Sequence, residues 1–156
     1  MNQLHLFEDP EAPAIKNFTI YRSSAGSGKT FTLVKEYLKI VLRNPQDYKH
    51  ILAITFTNKA TEEMKERILQ QLTEMAAGRN TPMRQVIAEE VEHYEQKLNI
   101  TDRSQKALTN ILHDYSRFSV STIDHFFSQL VRSLARELKL SLNYEIDVDD
   151  DTAMVE

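Results

Sequence analysis

The sequence predicts an α/β fold built on a parallel sheet, and three observations carry that expectation. A β-forming stretch runs into a helix-forming one three times: residues 18–21 ahead of a helix opening near Lys29, 50–56 ahead of a helix from Asn58, and 118–121 ahead of one from Thr122. Strands separated by helices rejoin a sheet through right-handed crossovers, so neighbouring strands run parallel. The first strand meets its helix through a loop with two glycines, Gly26 and Gly28, followed at once by Lys29 and Thr30. Such a loop cradles phosphate, which puts the fold among α/β nucleotide-binding cores. A further helical pair, over residues 81–115, is expected between the second and third strands.

Residues 1–16, with Pro10 and Pro13 among acidic neighbours, read as a flexible lead-in. The core then runs over residues 17–148. In its first unit Phe18, Ile20 and Tyr21 are the β-formers, and Phe31, Val34, Leu38 and Val41 share one helical face. Between them, Ser24, Ala25, Gly26, Ser27 and Gly28 are small enough for their backbone N–H groups to curl around an anion. Lys29 is placed to reach the β- and γ-phosphates, and the Thr30 hydroxyl to ligate Mg²⁺. The run fits G-x-x-x-x-G-K-[ST] except at its first position, where Ser23 stands.

Asn44-Pro45 stops the first helix. Residues 50–56 are almost continuously apolar, as in a parallel strand buried on both faces. Thr57-Asn58 caps a long helix with Ala60, Met64, Ile68, Leu72 and Met75 on its inner stripe, and Gly78 and Pro82 end it. The inserted pair comprises residues 83–98, with Met83, Ile87, Val91, Tyr94 and Leu98 inward, and residues 102–115, with Leu108, Ile111, Leu112 and Tyr115 inward. From Thr122 a helix turns Ile123, Phe126, Phe127, Leu130, Leu134 and Leu138 inward. Tyr144, Ile146 and Val148 alternate as a fourth strand or lead into an acidic tail, residues 149–156.

At 156 residues, 41% hydrophobic and 27% charged, the chain has the size and composition of one globular domain. It contains no run of membrane-spanning length and its first residues lack the pattern of a secretion signal, so a soluble, cytoplasmic protein is expected. The absence of cysteine excludes disulfides and thiolate metal sites. The five histidines form no metal-binding i, i+4 pair, so no structural metal is expected. A net charge of −4 gives no global pull toward nucleic acid, so any such contact rests on local motifs.

The second motif narrows the field. Residues 53–68 resemble the TFTNKAAxEMxxRI signature of superfamily 1 DNA helicases of the UvrD/RecB type, matching at Thr55, Phe56, Thr57, Asn58, Lys59, Ala60, Glu63, Met64, Arg67 and Ile68, with Thr61 where alanine is commoner. A strand-to-helix turn with free N–H groups suits a DNA phosphate, and Phe56 offers a face for a base. The same Thr57-Asn58 pair also serves as a helix cap. Residues 120–127 resemble the family's next DNA-contacting segment in the form seen in the RecB/AddA helicase–nuclease branch. Asp124 would repel phosphate, which leaves Thr122 and His125 as the contact candidates there. As a magnesium-holding acid Asp124 is also unsuited, since the preceding residues are polar and no glutamate follows.

The resemblance implies a partial RecA-like P-loop core, with ATP and Mg²⁺ as cofactors and single-stranded DNA at Phe56, Thr57, Asn58, Lys59, Thr122 and His125. It implies an ATP-dependent 3′→5′ DNA helicase in repair, with an exonuclease in the helicase–nuclease branch. The second motor domain and a nuclease site are absent from the sequence, so an N-terminal fragment of a longer helicase is expected, inactive in turnover by itself. Its partners would be the rest of the helicase chain and a second helicase–nuclease subunit. In the lead-in, Gln3, Leu4, Leu6 and Phe7 resemble the peptide with which bacterial replication and repair proteins dock on the sliding clamp; the same residues would also serve to cover a neighbouring surface. Two rivals stay open at this point: a small-molecule P-loop kinase, and a non-catalytic clamp-tethering module.

Overall fold

The computed structural model describes residues 19–21, 28–92 and 99–134. Helix α1 (Lys29–Arg43) buries Val34, Tyr37, Leu38, Val41 and Leu42, and the Asn44-Pro45 step ends it as the sequence predicts. A 3-10 turn at Asp47–His50 leads to strand β1 (Ala53–Thr55). Helix α2 (Asn58–Ala76) follows, then α3 (Pro82–Glu92) and α4 (Ile100–His113). A second 3-10 turn, Tyr115–Arg117, precedes strand β2 (Val120–Thr122) and helix α5 (Ile123–Leu134).

The two strands pair in parallel, with Ala53 opposite Val120 and Thr55 opposite Thr122. The mixed α/β class and the parallel pairing therefore match expectation. The sheet of the described residues has two strands only: residues 19–21 take no strand conformation, and Phe18 lies outside the described residues. The remaining expectations for residues 1–16, for Ser24 to Ser27, for Tyr94, Leu98 and Leu138, and for Tyr144 to Val148 with the acidic tail also lie outside them.

The core is mainly helical. Met64, Ile68, Leu72 and Met75 of α2 meet α1 and the Ile100, Ala107 and Ile111 face of α4. Thr61, rather than the expected Ala60, completes the buried stripe of α2. That helix ends in a left-handed glycine: Gly78 has φ 73°, its N–H donates to Met75 O, and the Arg79 N–H donates to Glu74 O. This is the paired-bond ending that satisfies the last carbonyls of a helix. Arg84 of α3 donates to Met75 O and to Thr101 Oγ1, tying three helices at one corner. At another, the Tyr48 hydroxyl donates to Asn110 O and the Asn110 amide donates to Pro45 O.

Three expectations need correction. Helix α4 starts at Ile100, capped by the Asn99 side chain, and presents Ser104, Ala107 and Ile111 inward. Leu112 and Tyr115 consequently turn to solvent. Strand β1 is covered on one face only, with Leu52, Ile54 and Phe56 exposed on the other. The apolar stripe of α5 is strong but no residue of it is buried; Phe127 is 53% exposed, and Leu130 and Leu134 are exposed as well. Among the described residues, no element covers these apolar side chains of β1 and α5. No described helix is long and apolar enough to cross a membrane.

Candidate nucleotide site and nucleic-acid interface

The described part of the glycine loop is its last residue. Gly28 takes φ 87° and ψ 23°, a left-handed conformation natural to glycine, and is the N-cap of α1. Gly28 has no side chain to cap the helix, and no acid sits in its first turn. Its leading N–H groups and the positive end of its dipole are thus left for an anion. Lys29 is exposed beside them, and Thr30 is half-buried. This donor set fits a polyphosphate with its metal: N–H groups and an ammonium for phosphate oxygens, and a hydroxyl for a hard cation.

A second constellation forms at the carboxyl ends of the two strands. Because β1 and β2 are parallel and in register, the helices that follow them both begin at the same edge of the sheet. Each begins with a threonine cap of the same kind. Thr57 Oγ1 accepts the Ala60 N–H at 3.1 Å, and Thr122 Oγ1 accepts the His125 N–H at 3.2 Å. Phe56, Thr57, Asn58 and Lys59 are exposed there, with Phe56 87% so, and His125 is exposed on the neighbouring helix start. Thr122 is buried and its oxygen is engaged as a cap, so it shapes the edge more than it offers a surface. Asp124 is exposed in the first turn of α5, where its charge satisfies the helix dipole.

The start of α1 lies beside the second half of α2 rather than beside its beginning. Phe31 and Val34, one turn along, share an open groove of about 480 Å³ with Arg67, Gln70, Gln71 and Glu74 of α2 and with residues 81–83. Thus α2 begins at the aromatic edge and runs past α1 further on. The sequence residues fall into two groups, Gly28 to Thr30 and Phe56 to His125, joined by one helix.

Two contributors escape sequence reasoning. Thr61 stands in the signature only as a departure, yet its hydroxyl lies 2.6 Å from that of Thr55. Glu90 of α3 ion-pairs with both Lys35 and Lys39 of α1, fastening the helix that carries Lys29. The signal for Thr61 is a polar residue at an inward helix position; Glu90 has none, because its partners lie far away in sequence.

The family model of the UvrD/REP helicase N-terminal domain matches residues 11–156. The chain is 31% identical over 135 residues to the A subunit of the ATP-dependent helicase/nuclease of Clostridium novyi, covering 85% of this chain and 9% of that protein. It is 32% identical over 115 residues to the RecB component of the RecBCD enzyme of Chlamydia muridarum, covering 73% and 10% respectively. Over 72 residues it is 40% identical to the probable DNA helicase II homolog of Mycoplasma capricolum, covering 44% and 10%. The chain therefore spans about a tenth of the length of these relatives. No solved structure matches it.

Proposed function

The chain belongs to the UvrD/REP helicase N-terminal domain family, and from that premise we propose that it is the ATP-binding N-terminal part of an ATP-dependent 3′→5′ DNA helicase or helicase–nuclease acting in DNA repair. Residues Ser24 to Gly28 would cradle the phosphates through their N–H groups, Lys29 would neutralise charge on the β- and γ-phosphates, and Thr30 would hold Mg²⁺. The bound nucleotide supplies the free energy of phosphate cleavage. What this chain contributes is binding and orientation, and with about a tenth of its relatives' length it would not turn over by itself.

The observation that carries the nucleic-acid half of the reading is the convergence of two threonine-capped helix starts and Phe56 on one edge of a parallel sheet. N–H groups and Lys59 suit phosphates, and an exposed ring suits stacking on an unpaired base, a combination found where single strands bind without sequence preference. Between Asn58 and Gln70, α2 spans about 18 Å at 1.5 Å per residue. It is the physical element through which strand occupancy at one end would reach the helix that begins at Lys29. The partners in this reading are single-stranded DNA, the rest of the helicase chain and a second helicase–nuclease subunit.

The test is titration of a fluorescent ATP analogue with Mg²⁺, with and without a short single-stranded oligonucleotide. Binding that Lys29→Ala abolishes without unfolding the chain, and that shifts when DNA is added, is the expected result. Unchanged affinity in Lys29→Ala would sink the phosphate site; analogue binding indifferent to DNA would sink the coupling through α2.

A further inference from the structure

The turn that presents Phe56 is closed by a cluster of three threonines. The hydroxyl oxygens of Thr55 and Thr61 lie 2.6 Å apart. Each also reaches the Thr57 carbonyl oxygen, at 3.1 Å from Thr55 and 3.2 Å from Thr61. A hydroxyl carries one proton, so these two groups can make two donations at once among the three contacts. The Thr57 carbonyl already accepts the Thr61 N–H at 3.0 Å, which leaves it one lone pair for a hydroxyl. The balanced arrangement has one hydroxyl donating to the carbonyl and the other donating to its neighbour. Thr61 is 8% exposed, so this exchange takes place with little competition from water.

The cap at Thr57 fixes where α2 begins, but it does not tie the helix to the strand. The Thr55–Thr61 bond does, since Thr55 ends β1 and Thr61 belongs to the first turns of α2. Phe56 stands between them and is 87% exposed, so its direction is set by the backbone that carries it. We infer that Thr61, through its hydroxyl bond to Thr55, is a positioning residue that holds the Phe56 ring outward as a stacking platform for an unpaired base. This deepens the function proposed above and rests on its assignment of Phe56.

The experiment measures binding of a fluorescently labelled oligo-dT to the full 156-residue chain by anisotropy. Thr61→Val keeps the side-chain shape and removes the hydroxyl, and Thr61→Ser keeps the hydroxyl. The expected result is a loss of about threefold to tenfold in affinity for Thr61→Val, the range of one net hydrogen bond, with near-native binding by Thr61→Ser and unchanged affinity for the ATP analogue. In a Phe56→Ala background Thr61→Val should cause no further loss, because there is no ring left to position. Equal loss in both backgrounds would mean a structural role only and overturn the inference. So would native binding by Thr61→Val when Phe56→Ala itself binds weakly. If Phe56→Ala binds as the unsubstituted chain does, or if that chain binds no oligo-dT, the interface reading fails first and takes the inference with it. Should Thr61→Val lose its helical circular dichroism, Thr55→Val deletes the same bond from the strand side and is read by the same criteria.

Discussion

At Gly28 the backbone turns at φ 87° into α1, where an added Cβ would meet, among the described residues, only the Phe31 Cβ at an ordinary 4.0 Å. The cost of Gly28→Ala is therefore conformational rather than steric, about 1 kcal/mol for a left-handed L-residue, readable as a lower urea midpoint. Thr57 makes the complementary case. Removing the hydroxyl oxygen that accepts the Ala60 N–H in Thr57→Ala should cost about 1 kcal/mol, and the same measurement checks it. Both residues are legible in the sequence, because glycine before a helix and threonine before an apolar period carry their reasons in their own chemistry. Thr61 is not: a threonine on a helix reveals nothing of a hydroxyl brought to it from the end of a strand.

The joint between α1 and α3 is electrostatic. Lys35 bonds to Glu90, Lys39 bonds to Glu90 and Glu36, and all four side chains are partly shielded. Partial burial pushes the Glu90 carboxyl up, but hydrogen bonds and charge from Lys35 and Lys39 outweigh it and hold the group below the usual carboxylate range. For the lysines burial again opposes, and hydrogen bonds from Glu90 and Glu36 win, so both are held above their ordinary value. A carboxyl lowered on folding gives stability that is present above its unfolded pKa and lost as pH falls through the folded one. A raised lysine gives stability present below its unfolded pKa and lost as pH rises through the folded one. The joint should thus be intact at neutral pH and loosen toward both extremes. Glu90→Gln should cost about 1 kcal/mol or less and flatten the acid side of a plot of urea midpoint against pH. Helix positions are the most legible part of the fold: Met64, Ile68, Leu72 and Met75 repeat at helical spacing and are buried. The stripe of α4 misleads because Ser104 and Ala107, small enough for close packing, form its inner face, and apolar Leu112 falls outside it.

On the scale of the whole chain, apolar pattern and burial part company. Leu52 and Ile54 of the β1 segment and Phe127, Leu130 and Leu134 of α5 have the spacing of core residues and stand exposed. Sequence periodicity marks which face is apolar and says nothing of whether a partner is there to cover it. Apolar surface of this extent predicts concentration-dependent self-association of the isolated chain. Sedimentation velocity should reveal it, and Phe127→Asp combined with Leu130→Asp should reduce it without loss of helical signal. The pairing of β1 with β2 has a consequence in time. Ala53 meets Val120 only after the chain has passed through all of α2, α3 and α4, and contacts between such distant segments are slow to close. Helices α1 and α2 can meet first, as neighbours in sequence, while the strand pair waits until α4 has docked on both. The edge where Phe56 and His125 come together would then be the latest part of the molecule to appear during folding and the earliest to come apart. Amide hydrogens of the strands should exchange ahead of those in the middle of α2, making the strand pair the weakest seam of the fold.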